Sequence, residues 1–200
     1  MRRVEVISRK RVLDDFFKVD EARLRFERYD GTMSEVVRRL NLERGDAAAA
    51  LLVDVGRRTI HLVEQFMYPT LEKAGGWIDT VVAGMIDAGE TPEQAIRREI
   101  LEEAGFEAQR VEPIASFFVS PGGSSERIFL FCALVSEAAR RSAGGGLASE
   151  NEDIRVVEWR LDDFLARLEA GGLQDAKTII AGYWLKDNFA RLLQTEPRTA

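Results

Sequence analysis

Hydrophobic and polar positions alternate with a period of two through most of residues 3–42. Val4-Glu-Val-Ile-Ser8 alternates, Phe16 to Tyr29 alternates again, Asp30-Gly31 supplies a hairpin turn, and Met33 to Leu42 reads as the returning strand. This predicts an antiparallel meander with little apolar content per face, expected to cover another surface rather than form a core of its own. Ala47 to Val53 is nearly continuous in apolar residues, the pattern of a central strand. Asp54 to Arg58 turns the chain, Thr59 to Phe66 returns it, and Trp77 to Ala83 leads into the loop that begins at Gly84. A strand lies within Ala108 to Ser120, and Pro121-Gly-Gly-Ser-Ser125 makes a tight loop before the buried strand 127–135. Ala138 to Asp153 is the most loop-like stretch. Its Gly144-Gly-Gly146 run reads as a hinge that lets the acids Glu150, Glu152 and Asp153 move over a neighbouring site. A strand at Ile154–Trp159 follows. Leu161–Leu168 and Ala176–Leu193 are amphipathic helices separated by Gly171-Gly172. The expected division is an N-terminal β region at 1–45, a main domain at 46–195 and a frayed tail at 196–200.

The period changes to that of a helix at Thr91. Thr91 is an N-cap, Pro92 takes the first helical position, Gln94 completes a capping box, and Gly105 suits the C-terminal stop. Ala95, Ile96, Ile100, Leu101 and Ala104 form the apolar stripe. Glu99 and Glu103 stack one turn apart on the other side, with Glu102 beside them. Acidic helix runs are commonly solvated faces. Here like charges at i, i+4 repel, and the Arg98–Glu102 pair relieves only part of that. The glycines at 84 and 89 let backbone come close to a ligand. A rooted helix that holds three carboxylates in one place is the outline of a divalent-cation site.

Composition narrows the rest. Hydrophobic residues make up 46% of the 200, enough for one sizeable core. A net charge of −6 argues against a nucleic-acid-binding surface. Cys132 lies inside the apolar run 128–135 and is expected to be a buried small side chain with no disulfide partner. His61, the sole histidine, has no Ser or Cys partner pattern, so a His-dependent nucleophilic triad is not expected. No apolar run reaches membrane-spanning length and the N-terminus has no signal-like core, so neither membrane nor secretion is indicated, and a cytoplasmic protein is expected.

Gly84, Glu90 and Arg98-Glu-Ile-x-Glu-Glu-x-Gly-Phe106 together resemble the complete Nudix box. The similarity extends to Met33–Arg39, Glu43-Arg-Gly45, Val63–Phe66, Ser120-Pro-Gly-Gly123 and Glu150-Asn-Glu-Asp-Ile154, which resemble the ADP-ribose/GDP-mannose pyrophosphatase branch. The resemblance implies an α/β fold, the Nudix α/β/α sandwich with a mixed sheet, plus an N-terminal antiparallel sheet. It also implies Mg²⁺-dependent hydrolysis, with Mn²⁺ as an alternative ion, of the diphosphate bond in a nucleoside diphosphate sugar. ADP-ribose is the first choice and GDP-mannose the second. A non-catalytic Nudix-fold ligand sensor is a third reading, which the presence of all three box acids disfavours.

By the same resemblance, Glu99, Glu103 and the carbonyl of Ala83 are expected metal ligands, joined by Glu102 and Glu152. Glu150 is the expected general base, with Glu103 and Arg98 in the catalytic set, Arg98 orienting a box glutamate and Glu90 tying loop to helix. Arg38, Arg39, Glu126, Asn151 and Lys177 are expected to meet substrate. The N-terminal strands would reach across to a second subunit, making a homodimer. Two positions depart from the pattern. Met67 stands where relatives commonly carry a phosphate-binding arginine. Thr80 replaces a common glutamate, with Asp79 adjacent.

Overall fold

A computed structural model describes residues 2–147, 149 and 152–194. The tail expected at 196–200 lies outside the described residues. The chain divides into two compact units. One runs from the N-terminus through Asp46 and includes Phe117–Ile128; the other comprises Ala47–Ser116 and the described residues from Phe129 onward.

In the first unit, β1 (Val4–Asp14), β2 (Lys18–Phe26) and β3 (Val37–Glu43) form an antiparallel sheet in that order. β1 is longer than its apolar alternation indicates, because charge rather than burial holds its second half. Arg9 and Arg11 donate to Asp20 across the strands, at 2.9 and 3.0 Å, and hold its carboxyl below the ordinary range. No apolar side chain of these three strands is buried among the described residues, whereas Asp20 on β2 and Ser34 ahead of β3 are. The segment after the Asp30-Gly31 turn bridges only at Glu27–Met33 before β3 begins, so the returning strand is shorter than expected. Gly31 takes a left-handed φ of 83°, and Asp30 accepts from the amide of Thr32. The Ser120–Ser125 loop belongs to this unit. Leu42 N donates to the carbonyl of Gly123 (2.8 Å), and Ser125 Oγ donates to Glu43 (2.6 Å).

The second unit is organised by a seven-stranded sheet ordered β10-β5-β4-β9-β8, with β6 added to β5 and β7 to β4. Its strands are β4 (Asp46–Asp54), β5 (Thr59–Phe66), β6 (Trp77–Thr80), β7 (Val82–Met85), β8 (Arg110–Phe118), β9 (Arg127–Leu134) and β10 (Arg155–Arg160). Its helices are α1 (Leu71–Ala74), α2 (Pro92–Glu99), α3 (Leu161–Glu169) and α4 (Ala176–Gln194). α1, one turn, has no counterpart in the hydrophobic pattern.

β4 is buried along almost its whole length, as its composition requires. Ala48, Ala50 and Leu52 pack with Ala95, Ile96, Ile100, Ala104 and Phe106 on one face. Strand alternation sends Ala49, Leu51 and Val53 to the opposite face, where they are also buried. At the α3–α4 crossing a Cβ on Gly182 would lie 3.2 Å from the ring of Phe164, so glycine sets that approach. The result is the α/β fold expected, with one helix layer carrying the acidic run. The stretch Trp77–Met85 forms two strands. The Val81 amide leaves the ladder to donate to the buried Thr178 hydroxyl at 3.0 Å, so β6 pairs with β5 and β7 with β4.

Candidate active site

The acidic helix is built as its end signals require. The Thr91 hydroxyl accepts from the Gln94 amide (3.2 Å), and the Gln94 side chain accepts from the Thr91 amide (2.8 Å), with Pro92 in the first turn. The C-terminal half departs from a plain α-helix. α2 gives way to a π-helical turn over Ile100–Ala104, closed by Gly105 at φ 74°. The wider turn changes which side chains face inward. Leu101, expected in the apolar stripe, is 45% exposed, whereas Glu103 is 2% exposed.

Glu103 Oε2 accepts from the Ala83 amide at 3.3 Å, so this carboxylate lies against β7. Glu99 lies against the same strand. A Cβ on Gly84 would come within 1.8 Å of Glu99 Oε1, so only glycine leaves room for that side chain. Burial lifts the Glu99 carboxyl above its ordinary range against the pull of Arg98. Burial also pushes Glu103 up to about 8, with the charges of Glu99, Glu152 and Glu102 adding to it. Burial thus opposes ionisation at both carboxylates, most strongly at Glu103.

Arg98 is the counter-charge in direct contact with Glu99. Its guanidinium takes both oxygens of Glu90 at 3.1 Å, donates to Glu99 (2.7 Å) and Glu102 (3.1 Å), and reaches the carbonyl of Met85 (3.1 Å). Glu90 also accepts from the Asp87 amide, so it ties the loop to the helix. As the side chains stand, no three acidic, thiol or imidazole groups among the described residues converge on one point. Arg98 bridges Glu99 and Glu102 instead. The donors nonetheless fit a hard divalent cation: they are all oxygens, they crowd negative charge, and the glycine at 84 leaves the space they need.

Glu152 approaches the group from the late loop. Its carboxylate accepts from the Leu147 amide (2.9 Å), and its charge is felt at both Glu99 and Glu103. Glu150 and Asn151 lie outside the described residues. The remaining expected residues are placed as follows. Lys177 donates to Asp175 at 2.6 Å, and Asp175 also receives the Thr178 amide and hydroxyl, so the lysine's charge is engaged at the start of α4. Arg38, Arg39 and Glu126 belong to the first unit. There Arg38 donates to Glu21 (2.6 Å), Arg39 to the carbonyl of Arg38 (3.0 Å), and Glu126 lies 3.9 Å from Arg44. Met67 is half-buried; its amide donates to the Gly76 carbonyl, and its carbonyl accepts from the Thr70 amide and hydroxyl. Thr80 is buried opposite Val63, whereas Asp79 pairs in register with Glu64, so strand alternation keeps Asp79 from substituting at position 80.

Two polar side chains take no visible part. His61 is buried against Phe106, its ring centroid 4.7 Å away, and burial lowers its pKa. Cys132 is buried too, its thiol pushed up to about 12. The sequence pattern missed the Asp175–Thr178–Val81 link, which ties α4 to the strand leading into the acidic box, and the docking of the glycine run at 144–146. For the first, Asp three residues before Thr at a helix start was the available signal.

These features define a fold and site class that comparison identifies. The profile described as NUDIX domain matches residues 43–180, and the chain belongs to the NUDIX family. Over 188 residues it is 41% identical to a protein named ADP-ribose pyrophosphatase in Escherichia coli strain K12, covering 92% of this chain and 88% of the relative. It is 34% identical to the GDP-mannose pyrophosphatase of Escherichia coli strain SMS-3-5, covering 90% and 93%. It is 32% identical to the GDP-mannose pyrophosphatase of Pectobacterium atrosepticum, covering 88% and 91%.

Proposed function

We propose that this protein hydrolyses the diphosphate bond of a nucleoside diphosphate sugar with Mg²⁺, ADP-ribose being the first choice. Water adds to one phosphorus, the bridging P–O bond breaks, and AMP and ribose 5-phosphate leave. The observation that carries the reading is the pair Glu99 and Glu103, the first half-buried against Gly84 and the second buried against Ala83, on a NUDIX chain 41% identical to an ADP-ribose pyrophosphatase.

Attack on a diphosphate is slow because its charge repels the nucleophile. A bound Mg²⁺ supplies neutralisation of that charge and acidification of the attacking water. Glu99, Glu103 and the Ala83 carbonyl would hold it, with Glu102 and Glu152 completing the oxygen set; Mn²⁺ suits the same donors. Arg98 keeps Glu99 and Glu102 oriented through its fork of hydrogen bonds. Glu150 takes the proton of the attacking water. Arg39, with Arg38, neutralises phosphate, while Glu126, Asn151 and Lys177 orient base and sugar.

The protein works as a homodimer in the cytoplasm, each N-terminal sheet serving its neighbour's site. Support comes from that sheet's surface: Val4 and Val6, on β1, are 63% and 58% exposed. No described helix is long and apolar enough to cross a membrane. GDP-mannose, giving GMP and mannose 1-phosphate, is the second reading, favoured by the relatives of that name. A panel of nucleoside diphosphate sugars incubated with Mg²⁺ and resolved by chromatography tests the proposal. AMP and ribose 5-phosphate from ADP-ribose, at higher kcat/KM than any other sugar nucleotide, are expected. Preference for GDP-mannose would transfer the assignment to the second reading.

A further inference from the structure

The glycine run at 144–146 has the composition of a hinge, yet the structure docks it. The end of a helix leaves carbonyls without intrahelical partners. At the end of the acidic helix, Glu103 O accepts from the Gly145 amide (2.9 Å) and Glu102 O from the Gly146 amide (3.2 Å). The Gly105 carbonyl accepts from Arg141 N (2.7 Å), and Phe106 bridges to Arg140 in antiparallel fashion. The late loop therefore lies backbone to backbone along the end of the box helix. From there the chain folds back: Ile154 N donates to Gly145 O, and Glu152 N to Leu147 O, each at 3.3 Å.

Both sides of this contact require the absence of a side chain. A Cβ on Gly144 would lie 2.2 Å from Glu103 O, and one on Gly105 would lie 2.2 Å from Ser142 O. These obstacles are backbone, which cannot swing aside. A Cβ on Gly146 would lie 2.4 Å from Glu152 Oε2 and 2.7 Å from its Cβ. All four glycines also hold positive φ: 74° at Gly105, and 73°, 121° and 77° at 144–146.

We propose that Gly105 and Gly144–Gly146 form a backbone clip whose function is to position Glu152 against Glu99 and Glu103, so that these glycines are positioning residues for the metal-dependent reaction. The inference rests on the proposed hydrolysis for its purpose, but the clip itself is tested without turnover. The carbonyls that accept the clip belong to Glu102 and Glu103, two of the acids in the candidate metal set. Loop and helix are thus registered at the residues whose side chains must act together.

The test compares Gly144→Ala and Gly146→Ala with Gly171→Ala. Gly171 has a similar φ of 69° but nothing within 4 Å of an added Cβ, so it reports backbone strain alone. Circular dichroism establishes folding of each variant. Amide hydrogen exchange at 145 and 146 in metal-free protein reads the clip, and Mn²⁺ binding by electron paramagnetic resonance reads its consequence. Both clip variants should lose protection at these amides and bind Mn²⁺ about tenfold to a hundredfold more weakly, the range seen when supports of metal ligands are removed. Gly171→Ala should change neither. In the hydrolysis assay the clip variants should lose kcat and need more Mg²⁺, with little change in KM. Wild-type amide protection and Mn²⁺ affinity in both clip variants would overturn the proposal. A wild type that binds Mn²⁺ but hydrolyses nothing would instead remove the proposed reaction and leave the clip standing.

Discussion

Replacing Glu103 by Gln separates what this side chain does for folding from what it does for chemistry. Gln has the same length and keeps an oxygen for the Ala83 amide, now bonded to Glu103 at 3.3 Å. What it removes is an ionisable carboxyl that is 2% exposed and feels the charge of Glu99. A carboxyl raised from 4.5 to about 8 binds its proton more tightly folded than unfolded. Its stabilising effect is therefore complete below pH 4.5 and is lost as pH rises through about 8. Each tenfold gain in proton affinity on folding is worth about 1.4 kcal/mol, so the full loss approaches roughly 4–5 kcal/mol. In a chain of this size that corresponds to about 10–15 °C in Tm. Melting curves in EDTA at pH 5 and pH 9 should show wild type losing stability across the window, and Glu103→Gln losing less by several degrees. Saturating Mg²⁺ should return the wild type's stability at pH 9 and leave the variant unchanged. Turnover in the variant should fall by more than about a hundredfold, since on the proposed mechanism a metal ligand is lost rather than only its support. Parallel pH–stability curves for the two proteins, or full turnover by the variant at saturating Mg²⁺, would refute the reasoning.

Gly84→Ala should displace Glu99, because the new Cβ would lie 1.8 Å from its Oε1; a raised Mg²⁺ requirement with intact far-ultraviolet circular dichroism is expected, and wild-type Mg²⁺ activation would contradict it. Met67→Arg should lower KM for ADP-ribose about tenfold to a hundredfold, the worth of one charge-assisted hydrogen bond to phosphate; steady-state kinetics with an unchanged KM would show that another group already fills that role. Val6→Glu on the exposed face of β1 should convert a dimer to monomer in light scattering and lower activity with it, and a fully active monomer at micromolar concentration would end the dimer proposal.

The parts of this molecule that were legible beforehand are those fixed by local chemistry. Thr91 and Gln94 name a helix start because each satisfies the other's backbone amide, Pro92 because it lacks the amide hydrogen that would go unpaired there, and the structure has that capping box. The apolar run of β4 could be central only because no face of it is polar. What was hidden depends on partners distant in sequence. The strand break at Val81 exists because Thr178 takes its amide, 97 residues away. The π-helical turn that turns Glu103 inward and Leu101 outward has no composition signature, so regular helical spacing misplaced both. The glycines at 144–146 looked like freedom because their partners, the carbonyls of Glu102 and Glu103, are not visible in a local window. Asp79 looked like a stand-in for the acid missing at Thr80 until register put it opposite Glu64.

The proposed reaction is metal-dependent hydrolysis of a nucleoside diphosphate sugar at Glu99, Glu102 and Glu103. Phosphorus NMR tests it most directly, following ADP-ribose with Mg²⁺, then EDTA, then Mg²⁺ again. The diphosphate signals should give way to equal amounts of AMP and ribose 5-phosphate, stop changing on chelation and resume on readdition. ADP-ribose that stays intact at every Mg²⁺ concentration, while titration calorimetry shows it bound, would contradict the claim and identify a ligand sensor instead.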